Sequence, residues 1–517
     1  MFSKTYSAVL RGLEAVTVQV ETDVRNGLPQ LQMVGALASE AKEAKERVKV
    51  AIENSGFRLP PKHITINLSP ADIRKEGTSF DLATEVSILA AFGFIPEKNL
   101  EGCMFAGELS LDGKLNKVPG ILPMAGLAAK EGFHKMIVPL GNVGEAALQG
   151  AVPVYGMRDL GEVVSFLMGN LPGEPQIPMS PVVLKKIQKA QNKDSADDLK
   201  DIIGQKAAKR ALMIAAAGGH HLLMIGPPGS GKTALAKCMP SLLPELSFDE
   251  MLDLSAIYSV SGKLKNEMQY VAKRPFQAPH HATTQTALLG GGRGATPGLV
   301  SLCHHGVLFL DEFTEFKPEV LETLRQPLEE QEVTVSRLHA TYTYPAAFQL
   351  VAAMNPCPCG YYPDRTKCNC SPQQIKRYTG KISQPILARI DMMIEVFPVE
   401  YDKIRKKEAD ETSESIRKMV CEARKRQENR FAKRNIRLNS EMGKRETEEF
   451  CVFDEEAEKV LHQIFQKNEF STRRYYRILK LSRTIADLEG SKEIRKHHLT
   501  EAYSYCNVGK KYWRMEA

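Results

Sequence analysis

The spacing of apolar and polar positions divides the chain into stretches of different character. Apolar residues at helical spacing run through Ala38–Asn54, the alternating run His63-Ile64-Thr65-Ile66-Asn67-Leu68 predicts a strand, and Phe80–Phe92 predicts a buried helix. Asp112-Gly113, a favourable two-residue turn, predicts a hairpin over Gly107–Leu115, and Ile137-Val138-Pro139 predicts a further strand. These elements make an α/β unit of residues 1–170. Pro172, Pro175, Pro178 and Pro181, followed by a polar, Lys-rich run, mark a linker over 171–199 that is semi-stiff at its start. Over 200–400, apolar strands at His221–Ile225, Gly306–Leu310, Gln349–Ala353 and Met392–Phe397 alternate with helical stretches, the pattern of a parallel sheet with helices on its faces. Residues 401–517 read as helical and highly charged, with glycine only at 443, 490 and 509.

Composition adds limits to this outline. A chain of 517 residues, 43% hydrophobic and 25% charged, is that of a multidomain globular protein. No apolar stretch approaches the ~18–20 residues that cross a bilayer, and Met1–Leu13 lacks a signal-peptide core. A cytoplasmic protein with no membrane partner is expected. Charge is uneven: 28 Lys and Arg stand against 21 Asp and Glu from Tyr401 to Ala517, while the first 400 residues hold 41 of each sign. A basic C-terminal region either meets an anionic partner, nucleic acid first among them, or is a solvated helical surface.

The chemistry begins at Gly226-Pro227-Pro228-Gly229-Ser230-Gly231-Lys232-Thr233, a complete phosphate-binding loop between the apolar run Leu222–Ile225 and the helix-like Ala234–Met239. Its glycines let backbone N–H groups turn toward phosphate, and the helix N-terminus adds its positive dipole end. Lys232 is placed to reach the β- and γ-phosphates of ATP and Thr233 to ligate Mg²⁺. Downstream, Val307–Leu310 is a strand ending in Asp311-Glu312, with Asp311 suited to Mg²⁺ and Glu312 to polarising the attacking water. The strand Leu350–Met354 delivers Asn355 to the same sheet edge, where its amide can orient that water.

Ten cysteines include a C-x-C…C-x-C set, Cys357, Cys359, Cys368 and Cys370, on a Pro- and Gly-rich loop directly after Asn355. Four thiolates on two short knuckles suit a closed, structural Zn²⁺ shell; reduced free thiols or a redox pair are the alternatives. Ala423–Phe431 and Lys433-Arg434 concentrate positive charge on a helix, to be read either as a phosphate-binding face or as a solvated one.

Taken together, the chain resembles the AAA+ ATPases of the magnesium-chelatase-like branch, most closely the YifB/ComM family. The resemblance is carried by Gly218–Ile225 running into the phosphate loop, Arg274–His281, Leu289–Gly292, Gly306–Phe313, Asn355–Gly360, Leu387–Asp391 and Ser482–Glu489. It implies a P-loop AAA+ core, an N-terminal domain of the Lon-protease type (ribosomal S5 domain 2-like) and a C-terminal helical lid. It further implies that Asn355 is the first sensor, Arg389 an arginine finger presented to a neighbouring subunit, and Arg473 the second sensor. Ile202-Ile203-Gly204-Gln205 would line the adenine pocket. A finger acting in trans implies a homo-oligomeric ring, usually a hexamer. An insert is expected near Gly290–Gly298, and a pore hairpin near Val333–Tyr342 with Arg337 and His339 facing a threaded strand. Pro297-Gly298-Leu299 and Leu302-Cys303-His304-His305 depart from the family pattern, outside the catalytic set.

Within that family the implied work is that of a branch-migrating DNA helicase; a chelatase-type or chaperone-like motor with a protein client is the alternative. An ATP-dependent protease is disfavoured. Ser79 falls where Lon carries its nucleophile, but the general-base lysine expected after Pro119-Gly120 is missing from Ile121-Leu122-Pro123, and Lys117 is at the wrong offset. The N-terminal unit therefore reads as a non-proteolytic relative.

Overall fold

A long antiparallel hairpin, Phe2–Arg11 paired with Glu14–Arg25, opens the chain; it is not among the expected elements, although Val16, Val18, Val20 and Val24 alternate with polar residues in its second strand. The inward face of the first strand carries hydroxyls. Ser3, Thr5 and Ser7 are buried and donate to the carbonyls of Ser87 (2.5 Å), Ala83 (2.8 Å) and Ser79 (3.4 Å), on and just before the buried helix Asp81–Ala91. Short polar groups that find partners pack as an interior face at little cost, so apolar alternation disappears although the strand is half-buried. The computed structural model describes residues 1–36, 39–150, 152–175, 197–264, 270–292, 294–336, 341–399, 411–467 and 471–513. Most of the expected linker (176–196), the stretch 400–410, and Arg337 and His339 lie outside the described residues.

The hairpin is the centre of a seven-stranded mixed sheet in the order Gln30–Val34, His63–Ser69, Glu14–Arg25, Phe2–Arg11, Cys103–Phe105, Lys135–Pro139, Val154–Met157. The helices Ser39–Asn54, Asp81–Ala91, Ile121–Lys130 and Leu160–Leu167 accompany it. Glu108–Leu109 pairs with Leu115–Asn116, so the hairpin forms as expected, but residues 110–114 connect the strands in place of a two-residue turn.

The second sheet has five parallel strands in the order Phe276–Gln277, Val307–Leu310, Gln349–Met354, Leu222–Ile225, Met392–Glu395. The three central strands are wholly buried, so they read as continuous apolar runs rather than alternating ones. Leu222–Ile225 has later strands on both sides. Its C-terminal end is therefore the switch point where α/β sheets bind ligands. Glu332–Ser336 and Thr341–Pro345 form the expected hairpin, and Gly290–Gly291 pairs with Thr296–Pro297 in the expected insert.

Several tracts of the family pattern prove to be braces. Arg274, half-buried, donates to the carbonyls of Pro244 (2.6 Å) and His305 (2.7 Å) and to Glu250 (3.0 Å). Asp391 accepts the His221 N–H at 3.0 Å and stands 3.7 Å from His220, tying two strands together at their starts. Burial alone would raise its carboxyl, but His220, His221 and Arg477 hold it well below the usual range.

From Ser413 the chain is helical: Ser413–Phe431, Lys444–Phe450, Glu455–Lys467, Thr472–Leu488 and Lys496–Trp513. The arginines that made this region look anion-binding largely have partners within the chain, Arg424 and Arg430 half-buried and Arg426 and Arg434 exposed. Arg424 donates twice to Ala216 O (3.0 and 2.6 Å), satisfying a free carbonyl at the end of the helix Lys206–Gly218. Arg426 donates to Asp487 O at 2.7 Å, Arg430 pairs with the buried Asp487 carboxylate, and Arg434 pairs with Glu449.

The two α/β units pack on each other. Leu122 and Leu148 of the first join Leu246, Met251, Leu254 and Leu264 of the second in one apolar cluster. Gly120 N–H donates to Ser259 O at 3.1 Å, and Lys117 Nζ donates to Leu264 O at 3.2 Å. The stretch where a Lon-type protease needs its lysine is here part of a contact between units.

Candidate active site

The strand Leu222–Ile225 hands the chain to the phosphate loop, anchored where Gly226 N–H donates to Met354 O at 3.2 Å. Gly231, at φ +89°, turns the backbone into the helix Lys232–Lys237, a conformation open to glycine and strained for other residues. Lys232 lies buried within the loop, its ammonium donating to Gly226 O (2.7 Å), Pro227 O (2.8 Å) and Asn355 Oδ1 (3.3 Å), with Ser230 Oγ at 3.5 Å. Burial pulls its pKa below the ordinary value, against the opposing pull of Asp311. Thr233 Oγ1 donates to Asp311 Oδ2 at 2.7 Å. A hydroxyl and a carboxylate brought together beside a phosphate loop are the oxygen donors that Mg²⁺ prefers.

Glu312 follows with φ +49°, left-handed for a non-glycine residue and costing about 1–3 kcal/mol, the kind of strain that gathers at functional positions. Its N–H donates to Asp311 Oδ1 at 2.9 Å, and its largely exposed carboxylate meets His281 Nδ1 at 3.2 Å. The His281 ring lies against His280, with centroids 4.0 Å apart. The sequence marked His281 only as the end of a family tract; its position just beyond the edge strand Phe276–Gln277 is what brings it to Glu312. Glu312 and Asn355 line a cavity of about 560 Å³ with Glu315, Pro358, Gln374, Arg377, Tyr378 and Lys381.

Gln205 joins the loop from the other end of the chain segment. Its Nε2 donates to Ser230 O (3.2 Å) and Phe397 O (2.5 Å), clasping the phosphate loop to the residues after the strand Met392–Glu395.

Arg389 and Arg473 stand apart from this group. Arg389 is buried, donates to Pro385 O at 2.6 Å and pairs with Glu329, and Arg473 reaches the same Glu329 oxygen at 3.5 Å. Among the described residues neither arginine has a hydrogen bond or ion pair to the phosphate loop, Asp311, Glu312 or Asn355. The Arg389 Nε is buried with no partner. Glu329, which sequence reasoning missed, lies on the helix Arg325–Glu330 that runs directly into the hairpin Glu332–Pro345. Its carboxyl is held below the usual range by the Arg389 hydrogen bond and by Arg473.

The four clustered cysteines converge. All four sulfurs lie within 4.8 Å of one another, with Cys357 at 3.4 Å from Cys359 and 3.7 Å from Cys368. A tetrahedron of Zn–S bonds of ~2.3 Å has sulfurs about 3.8 Å apart, so this spacing fits a zinc shell. The Tyr361 N–H brings the Cys359 thiol down to about 6, while burial pushes Cys368 up to about 12, so full ionisation of the set calls for a cation. Two other groupings of possible metal ligands are hydrogen-bonded braces instead. His304 Nδ1 accepts the Ala347 N–H (3.0 Å) and His498 Nδ1 accepts the Arg495 N–H (2.9 Å), so in each neutral ring Nε2 carries the proton and offers no lone pair.

In the N-terminal unit, Ser79 is buried and its hydroxyl donates to Ala8 O at 2.9 Å, with Lys117 turned to Leu264.

Three family models match the chain: magnesium chelatase, subunit ChlI, over residues 198–404; subunit ChlI of Mg-chelatase, over 20–142; and the ChlI C-terminal region over 410–506. Competence protein ComM of Haemophilus influenzae is 42% identical over 505 residues, covering 97% of this chain and 96% of that protein. The chain belongs to the magnesium-chelatase ChlI family. Escherichia coli YifB is similarly related, 41% identical over 496 residues that cover 96% of this chain and 95% of YifB. The N-terminal region is similar to Lon; archaeal Lon protease of Halobacterium salinarum is 47% identical over 51 residues, 10% of this chain and 7% of that protein. This ChlI-family chain is thus a ComM-like AAA+ protein, of a family whose character is that of an ATPase using ATP and Mg²⁺ and which usually oligomerises. No helix of the described residues is long and apolar enough to cross a membrane.

Proposed function

We propose that this chain hydrolyses ATP at sites shared between subunits of a homo-oligomeric ring, and uses the energy to move or remodel DNA. The observation that carries the reading is the bonded set Lys232–Asn355 and Thr233–Asp311 at the switch point of the parallel sheet, with Glu312 beside it. On binding ATP, Lys232 exchanges the loop carbonyls for the β- and γ-phosphates. Thr233 and Asp311 are the residues to hold Mg²⁺, which offsets charge on the phosphate oxygens. Glu312, steadied by His281, takes the proton of the attacking water, and Asn355 orients that water. Gln205 fixes the adenine end of the site.

Arg389 and Arg473 complete the site of the adjoining subunit, because within one chain they are gathered on Glu329 and away from its own loop. A fixed guanidinium there meets charge that spreads over the transferring phosphoryl group. A hexamer is the assembly this implies. The hairpin Glu332–Pro345, carrying Arg337 and His339, then faces the pore. Residues 200–400 serve as the motor, 401–517 as its lid, and 1–170, joined through 171–199, as a non-proteolytic Lon-like domain for assembly or partner contacts. Cys357, Cys359, Cys368 and Cys370 hold one structural Zn²⁺.

DNA as the client rests on the likeness to ComM, whose name ties it to competence. The engagement of Arg424, Arg426, Arg430 and Arg434 within the protein favours a second reading, a motor with a protein client. An ATPase assay across salt separates the two. Stimulation by single-stranded or branched DNA that falls as salt rises supports the DNA reading; a rate indifferent to DNA at low salt rejects it and leaves the protein client.

A further inference from the structure

The segment between Asn355 and the helix Pro372–Thr379 contains little apolar material of its own. Its core is a small cluster of Cys357, Cys368 and Ile375, with Cys359, Tyr362 and Cys370 packed against it, so the sulfurs themselves are the interior. The Tyr362 N–H donates to Cys357 Sγ at 3.4 Å, turning the first knuckle back on itself.

Three parts of the active site are attached to this knuckle. Asn355 ends two residues before Cys357. Gly360, at φ +86°, lies so close to the phosphate loop that a Cβ added there would stand 2.6 Å from Pro228 Cδ. Pro358, between the first two cysteines, lines the cavity beside Glu312 and Asn355. At the far end Cys370 directly precedes Ser371, which caps the helix whose Gln374, Arg377 and Tyr378 line that same cavity.

We propose that the four-cysteine knuckle is a metal-dependent wall of the nucleotide site: Zn²⁺ bound by Cys357, Cys359, Cys368 and Cys370 fixes Gly360 against Pro228 and so sets the phosphate loop in its ATP-binding form. The proposal rests on the zinc and ATP readings above and adds that the two sites are coupled. Without the ion, the four sulfurs make only weak thiol contacts with one another, and the energy of metal binding that orders the loop is lost, leaving a small packed cluster and the Arg365 bond to Cys370 O to hold it. The phosphate loop then loses its neighbour at Pro228, and the helix carrying Arg377 loses its anchored start.

The test uses the full-length chain. Metal analysis of the purified protein is expected to give one zinc per chain. Releasing it with a thiol-reactive mercurial and a chelator should weaken binding of a fluorescent ATP analogue by about 10–100-fold, in step with the zinc released. Cys368→Ser should lose both metal and nucleotide. Gly360→Ala keeps all four thiolates, so it should retain zinc yet bind nucleotide about tenfold more weakly, because the added methyl pushes on Pro228 and strains the backbone at φ +86°. That second variant remains informative if Cys368→Ser fails to fold. A protein that neither contains nor takes up zinc overturns the metal site. Stoichiometric zinc whose removal leaves nucleotide affinity unchanged overturns the coupling, and normal affinity in Gly360→Ala overturns its route through Pro228. Unchanged binding by Lys232→Ala would place the fault in the nucleotide reading instead.

Discussion

Lys232 is bonded to Asn355 at 3.3 Å and Thr233 to Asp311 at 2.7 Å, whereas Arg389 and Arg473 are brought together on Glu329. The first group is built by neighbouring strands of one sheet, and its geometry follows from strand register. The second is assembled from three separate segments and points to no phosphate of its own chain. If the arginines serve the adjoining subunit, as proposed, ATP binding is a property of one chain and fast hydrolysis a property of the assembly.

The sharpest break of this comparison is Lys232→Ala, which should weaken ATP binding on the order of 100-fold or more, measured by titration with a fluorescent analogue, because it removes charged hydrogen bonds to phosphate. Arg389→Ala should leave that affinity intact and cut kcat about 10³-fold in assembled protein, with Arg473→Ala following the same pattern. Glu312→Gln should likewise keep binding and lower kcat by about 10²–10⁴-fold, seen as trapped nucleotide in single-turnover assays. Glu329→Gln is the mildest: it keeps the side chain's shape but frees the arginines from a charged partner. A roughly tenfold fall in kcat with unchanged affinity is expected, and it should vanish in an Arg389→Ala background if the two act as one unit.

The phosphate loop, Asp311-Glu312 and Asn355 were legible because each motif is local and sits at the end of an apolar strand that periodicity reveals. Four of the five strands of the ATPase sheet were legible for the same reason; the edge strand Phe276–Gln277, two residues long, is too short to leave a pattern. Glu329 was not: in Leu328-Glu329-Glu330 it looks like any solvated acid, and its meaning comes from arginines 60 and 144 residues away. His281 was hidden because its partner Glu312 lies just past the end of another strand, Val307–Leu310. In the opening hairpin the first strand was hidden because its buried face carries Ser3, Thr5 and Ser7, whose hydroxyls bond to the carbonyls of Ser87, Ala83 and Ser79, whereas alternating Val16, Val18, Val20 and Val24 mark the second. The positive charge over Ala423–Phe431 misled in the opposite direction. Three of its arginines hold the end of the helix Lys206–Gly218 and the residue Asp487, and sequence spacing cannot separate a guanidinium spent on a distant carbonyl from one offered to phosphate.

The account stands or falls on whether the arginines act across a subunit boundary. Lys232→Ala and Arg389→Ala proteins, each nearly inactive alone, are mixed in equal amounts and their ATPase rate is measured with assembly confirmed by light scattering. Random pairing gives about one interface in four an intact phosphate loop from one chain and an intact Arg389 from the next, so a recovered rate near a quarter of the unmodified protein is predicted. Mixed assemblies that remain as inactive as either variant alone would contradict it.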